Sequence, residues 1–302
     1  MDEKVSLVPP TSNNVVTVLV DFTYRDTAYY DRITVPEHLY LTARQYQKCI
    51  PYPAFITNPL QKEFYPYILS SFQVIRDEEH LTSDEYADLL IAYVQSLPYD
   101  WKKVREDNIT PRFPIETCID RTGICTDKSL LLAGLLAWEG YNVVLLEFTQ
   151  EHHMAVAISV PQEYSNWDSG YAFIETTSLI PIGDLTGTTP EGQRLCTPPN
   201  IIAFPCGSTS YAGMELITKI NKARNILQEK VLPELVHEVR QYLHEVETNR
   251  TYETVSQYND VVTRHNAVVH ILQDIQTGIL SREEILSRIK NAHIGELQQI
   301  DL

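Results

Sequence analysis

Long hydrophobic runs are missing from this chain of 302 residues. The longest apolar stretches, LLLAGLLAW (130–138) and NVVLLEF (142–148), fall well short of the ~20 residues a membrane-spanning helix needs. No membrane span is therefore expected. An excess of basic charge is missing too. The chain has 24 Lys and Arg against 40 Asp and Glu, a formal net charge of −16. Nucleic acid and anionic membrane surfaces both demand a basic face, so neither is expected as the main partner. The opening MDEKVSLVPP has no basic segment followed by an apolar one, and does not read as a secretory signal. Cysteine is scarce: Cys49, Cys118, Cys125, Cys196 and Cys206. An odd number leaves at least one thiol unpaired within the chain, and free thiols suit a reducing, cytoplasmic location. There is no C-x-x-C pair for a thiolate zinc site and no D-x-[DN]-x-[DN]-G calcium loop. Internal repeats and low-complexity tracts are also lacking.

What remains is enough for a proper core, with 43% hydrophobic residues. VVTVLVDFTY (15–24) reads as a strand and DRITVPEHLYL (31–41) as another, broken by Pro36. Tyrosine is abundant as far as Tyr99, which suits packing with wetted hydroxyls. A capping box, Thr82 with Glu85, opens a helix that Pro98 stops. NITPRFPIETCIDRTG (108–123) reads as a loop. An apolar helix follows, with Asp127 in its first turn and Gly140 at its end. YNVVLLEF, HMAVAISV and YAFIETT then read as strands. Residues 178–213 are rich in Gly, Pro and Thr; a connection this long is usually a lid, a linker or otherwise functional. Helical segments complete the chain. Pro233 breaks the first, and Ser281 with Glu284 caps the last. Leu216, Ile220, Ala223, Leu227 and Val231 form an amphipathic stripe. Three regions are expected: an N-terminal β-type and aromatic-rich region, 1–80, packing on the core; a core, 81–212; and a helical region, 213–302, forming a hairpin that packs on the core or serves as a surface for an oligomer or partner. The class is α+β.

Cys125 sits between a glycine turn and the apolar helix. A helix N-terminus stabilises a thiolate, the nucleophilic form of cysteine; alone, however, a cysteine is more often a small buried hydrophobe. A thiolate nucleophile needs a base and a group to orient that base. His152 and His153 open the strand HMAVAISV, and adjacent strand residues face opposite ways. His153 shares a face with Ala155, Ala157 and Ser159, small residues that leave room for a helix end, which makes it the better base. The two histidines could not chelate one ion without a bulge. Glu175 stands among apolar residues of the next strand, an expensive place for an unpaired carboxylate. In a hairpin of the two strands it can share a face with His153.

The segments FPIETCIDRTGICTDKSLLLAGLLAWEGYNVVLL, HHMAVAI and YAFIETTSLIPIG resemble the core of the transglutaminase-like superfamily, over about Gln95 to Asp184. The resemblance implies a papain-like fold, in which a helix bearing the nucleophile packs on an antiparallel sheet. It also implies a triad of Cys125 as nucleophile, His153 as general base and acid, and Glu175 as orienting residue. Such an enzyme would act on amide or peptide bonds through a thioester, as a peptidase, an amidase or an acyltransferase to amines. It would take a protein or peptide substrate and need no cofactor or metal. Ile124 stands where many members carry aspartate, and glutamate replaces the commoner triad aspartate. Gln95, ahead of SLPYD, is the candidate side-chain donor to an oxyanion, alongside the Cys125 backbone N–H. Asp127 is explained by the helix dipole and Lys128 as a surface residue. The alternative is a catalytically silent module used as an interaction scaffold.

Overall fold

The alternating residues of VVTVLVDFTY form strand β1 (Val15–Tyr24) in the computed structural model of the chain, which describes residues 14–25, 27–106, 109–185, 188–277, 280–292, 294, 295 and 297. It pairs antiparallel with β2 (Thr27–Pro36), and Val18, Val20, Phe22, Ile33 and Val35 face the core. The expected second strand ends at Pro36. The residues beyond it form helix α1 (Glu37–Gln45), whose Leu39 and Ala43, four apart, are buried. Two more helices follow, α2 (Tyr52–Thr57) and α3 (Pro59–Glu78), so residues 37–78 are largely helical rather than β-type. Their aromatics are core. Phe64, Tyr65 and Phe72 are buried, and the Tyr65 hydroxyl donates to the Ile56 carbonyl rather than to water.

Helix α4 (Ser83–Ser96) starts at the expected capping box: Thr82 accepts from the Glu85 N–H, and Glu85 accepts from the Thr82 N–H. After the short α5 (Trp101–Arg105), the segment expected to be a loop contains α6 (Pro114–Asp120). Proline at its first turn lacks only an N–H that a helix start leaves unbonded anyway. Helix α7 (Cys125–Trp138) ends before Gly140, whose φ of +91° suits glycine.

Strands β3 (Val143–Phe148), β4 (His153–Ser159), β5 (Tyr171–Ile174) and β6 (Asn200–Ile202) make an antiparallel sheet in the order β5-β4-β3-β6. Its two faces bury different things. Val143, Leu145, Met154, Val156, Ile158 and Ile174 join the leucines of α7 in the main core. Val144, Leu146, Phe148, Ala155, Ala157 and Phe173 form a separate cluster, against which Leu185 and Leu195 pack. The body of α7 therefore lies on the Met154 face, where large apolar side chains meet its leucines, and its N-terminal end reaches His153, which shares the other face with Ala155 and Ala157. The architecture is α+β. The 178–213 connection supplies β6 at the sheet edge, and its Tyr211 N–H donates to the Ser159 carbonyl.

The C-terminal region comprises α8 (Met214–Ile226), a π-helical turn at Leu227–Val231, α9 (Leu232–Thr248), α10 (Tyr252–Thr277) and α11 (Arg282–Asn291). Pro233 falls in the first turn of α9, just after the π turn. The expected stripe holds: Ile220, Ala223, Leu227 and Val231 are buried in a cluster of their own with Val261, Val268 and Ile285. Among the described residues, no helix is long and apolar enough to cross a membrane.

Candidate active site

Cys125 is the first residue of α7. The approach to it is narrow. Gly123 pairs with Tyr99 in a parallel bridge, and a Cβ at 123 would come within 2.8 Å of the Asp127 Cβ. Only glycine lets the backbone pass so close. Asp127 then fixes the helix start. Its carboxylate accepts from the Ile124 N–H at 3.1 Å, from the Arg112 N–H at 2.8 Å, and from Lys103 Nζ at 2.8 and 2.7 Å. Asp127 is fully buried, so its role exceeds that of a first-turn dipole partner. Lys128 is not at the surface. It too is fully buried, and its ammonium donates to the carbonyls of Gln95 (3.2 Å) and Leu97 (2.7 Å). Burial pulls its pKa down to about 8, against the opposing pull of the Glu175 charge. Ser129 joins helix to sheet: its hydroxyl donates to the Met154 carbonyl at 3.0 Å and lies 3.2 Å from the Thr176 hydroxyl.

His153 opens β4, and Glu175 follows the last residue of β5. Val156 lies opposite Ile174 and Ala157 opposite Phe173, a register that puts His153 and Glu175 on one face, offset by one pair. His153 Nε2 is 2.9 Å from Glu175 Oε2. The other carboxylate oxygen, Oε1, accepts from the N–H groups of Thr176 and Thr177, both at 2.9 Å, and from the Thr177 hydroxyl at 2.7 Å. Glu175 is thus a buried carboxylate with both oxygens bonded, as burial requires. With Nε2 occupied, Nδ1 is the ring nitrogen left for a second partner. The Cys125 sulfur is near enough to act on the imidazole both as a hydrogen-bonding group and as a charge. Burial alone would lower the His153 pKa; Cys125 and then Glu175 outweigh it and raise the value from 6.5 to about 10. Burial likewise works to raise the Glu175 pKa, but the imidazole and Thr177 hold it below the usual carboxylate value. The structure therefore brings Cys125, His153 and Glu175 together in one hydrogen-bonded row. Their exposures are only 6%, 4% and 2%.

Gln95 takes a different place from the one expected. Its amide Nε2 donates to the Glu175 carbonyl at 2.8 Å and to the Ile180 carbonyl at 3.0 Å. An amide nitrogen carries two protons, so none remains for an oxyanion at Cys125. Gln95 instead pins the backbone that carries Glu175. The side chain beside the Cys125 backbone N–H is Tyr99, whose hydroxyl donates to Glu191 Oε1 at 2.7 Å. Tyr52 also lies within electrostatic reach of the thiol. Neither was singled out from the sequence, where both are lost among many tyrosines; the only pointer to Tyr99 is its place beside Pro98 in SLPYD. His152 is outside β4, in a left-handed turn at φ +50°. Among the described residues, no group of three His, Cys, Asp or Glu side chains could hold a metal ion.

Comparison with known families agrees with this geometry in extent. Residues 78–185 match a family model described as a transglutaminase-like domain. That span runs from the end of α3 past β5 and takes in Cys125, His153 and Glu175. Over these residues the chain is similar to the transglutaminase-like superfamily, as the resemblance of its motifs leads one to expect. The β1–β2 hairpin and helices α8–α11 lie outside the match. No curated protein and no solved structure matches the chain.

Proposed function

We propose that the protein is a thiol enzyme acting on amide or peptide bonds, with Cys125 as nucleophile, His153 as general base and acid, and Glu175 as the residue that orients the imidazole. The reading rests above all on one observation: a buried imidazole whose Nε2 lies 2.9 Å from a carboxylate oxygen of Glu175 and which has the Cys125 sulfur within hydrogen-bonding reach. In the proposed cycle, Cys125 Sγ attacks the amide carbon after its proton has passed to His153. The carbonyl oxygen gathers negative charge beside the Cys125 backbone N–H, where the Tyr99 hydroxyl now lies and would have to give way. The C–N bond breaks as His153 protonates the departing amine, leaving a thioester. Water or an amine then attacks that thioester, returns a proton to His153 and releases the acyl group. Glu175 stabilises the imidazolium without taking its proton.

The alternative, a silent scaffold module, draws on the low exposure of the three side chains and on Tyr99 beside the oxyanion position. Thioester trapping separates the two. The protein is incubated with a mixed peptide digest, quenched in acid and mapped by mass spectrometry; a parallel sample receives hydroxylamine, which converts thioesters to hydroxamates. The enzyme reading predicts acyl adducts on Cys125 that hydroxylamine releases and that Cys125→Ala lacks. Absence of adducts and hydroxamates from a folded protein would favour the scaffold.

A further inference from the structure

A cavity of about 440 Å³ lies where the main core meets the C-terminal helices. Its volume falls in the range of small-molecule sites, roughly 300–1,000 Å³. The wall draws on both hydrophobic clusters: Ile91, Ile182 and Ile217 come from the main core, and Ile220, Ile275 and Ile285 from the helical region. The space is partly open to solvent, so a ligand can enter between the two packed clusters.

The charges around the rim decide what kind. Arg25 is paired with Glu85 at 2.6 Å, and Arg282 with Asp88 at 2.6 Å; Asp88 also accepts from the Tyr211 hydroxyl at 2.9 Å. With both guanidinium groups and both carboxylates committed to one another, an ionic ligand would face isoleucines and find no free counter-charge. The remaining polar side chains in the wall, among them Asn221 and Gln276, are neutral. We infer that this cavity is a binding site for a neutral, predominantly apolar small molecule of lipid-like character. It is a site apart from the Cys125 row and does not depend on the activity proposed there. It touches that row's surroundings at one point, through Gln95 and Ile180, which share its wall.

The test uses the full chain and the neutral fluorescent probe N-phenyl-1-naphthylamine. Saturable binding at one equivalent is expected, with 1-decanol displacing the probe at a concentration at least about tenfold below that needed for decanoate, as the paired rim charges require. Ala92 also lines the cavity. Ala92→Phe should fill it and weaken probe binding at least about tenfold, with an unchanged circular dichroism spectrum. Should that variant fail to fold, Ile220→Phe serves in its place, and a photoreactive decanol analogue on the unmodified chain should label elements of the cavity wall, α4, α8, α10 or α11 among them. Non-saturable binding, displacement by decanoate as readily as by decanol, or labelling confined to elements that do not line the cavity would overturn the inference.

Discussion

Lys128 and Asp127 stand side by side in one helical turn, and nothing in TDKS marks either as interior. Their burial depends on partners far along the chain: Lys103 and the Arg112 N–H for the aspartate, the carbonyls of Gln95 and Leu97 for the lysine. Residue type, local spacing and the family resemblance brought forward Cys125, His153 and Glu175, which stand at a helix start, at the start of a strand and just past the end of another. They gave Gln95 a different place from the one it takes and passed over Tyr99 and Ser129, because the partners of these three follow from which backbone groups lie within reach. The His153–Glu175 pair carries a consequence for pH. Folding raises the His153 pKa from 6.5 to about 10, so the folded protein holds this proton more tightly than the unfolded chain. The stabilisation is complete below about pH 6.5 and is lost as pH rises toward about 10. Glu175 acts in the opposite sense: its lowered pKa contributes fully above the ordinary glutamate value, and the contribution is lost as pH falls below that value through the lowered folded one. The melting-temperature advantage of the wild type over His153→Gln should accordingly be greatest near pH 6 and shrink steadily to pH 10. A constant difference would show that the imidazole gains no proton affinity on folding.

Among the elements, α7 does two tasks. Its first turn presents Cys125, and its body anchors that turn in the core. The anchoring is tight at Gly134, where an added Cβ would collide with the hydroxyl of Tyr65, itself buried and bonded to Ile56. Helix propensity favours Gly134→Ala by roughly 1 kcal/mol, but overpacking costs about 1–3 kcal/mol. A net loss of stability is expected in urea denaturation, and a more stable variant would show that α3 and α7 are less closely packed. Elements with regular apolar spacing and a capping signal were legible in the sequence, as α4, α7, α11 and strands β3, β4 and β5 illustrate, whereas the three-residue β6 lay unread in the 178–213 connection. Helix α1 was hidden by β-type residues before Pro36, and α6 by two prolines, one of which in fact opens it. The body of α7 covers the Met154 side of the sheet for a physical reason: large side chains there interlock with helix leucines, whereas Ala155 and Ala157 lie against a smaller cluster.

At the scale of the whole molecule, residues from Val18 to Ile217 share one hydrophobic cluster, so the N-terminal hairpin and helices are continuous with the core that bears the site. The helical region has its own cluster but is fastened back by the Arg282–Asp88 ion pair, with Tyr211 as third member. Arg282→Leu would leave the Asp88 carboxylate largely buried and without its cation, at a cost of about 3–5 kcal/mol. Hydrogen exchange should then rise first in α11 and α8; unchanged exchange there would mean that apolar packing and the Arg224–Asp184 ion pair suffice to dock the region. The chain's acidity, −16, sits with the expected absence of a nucleic-acid partner but identifies no substrate. The central claim, that His153 activates Cys125, is tested most directly by the rate at which iodoacetamide alkylates each cysteine at pH 6.5, followed by peptide mapping. Cys49 and Cys196, both exposed, are the internal references. The account predicts that Cys125, though buried, reacts faster than either, and that His153→Gln slows it at least about tenfold while leaving the references unchanged. A Cys125 that stays inert while Cys49 and Cys196 react, or one that reacts equally fast in the variant, would contradict it.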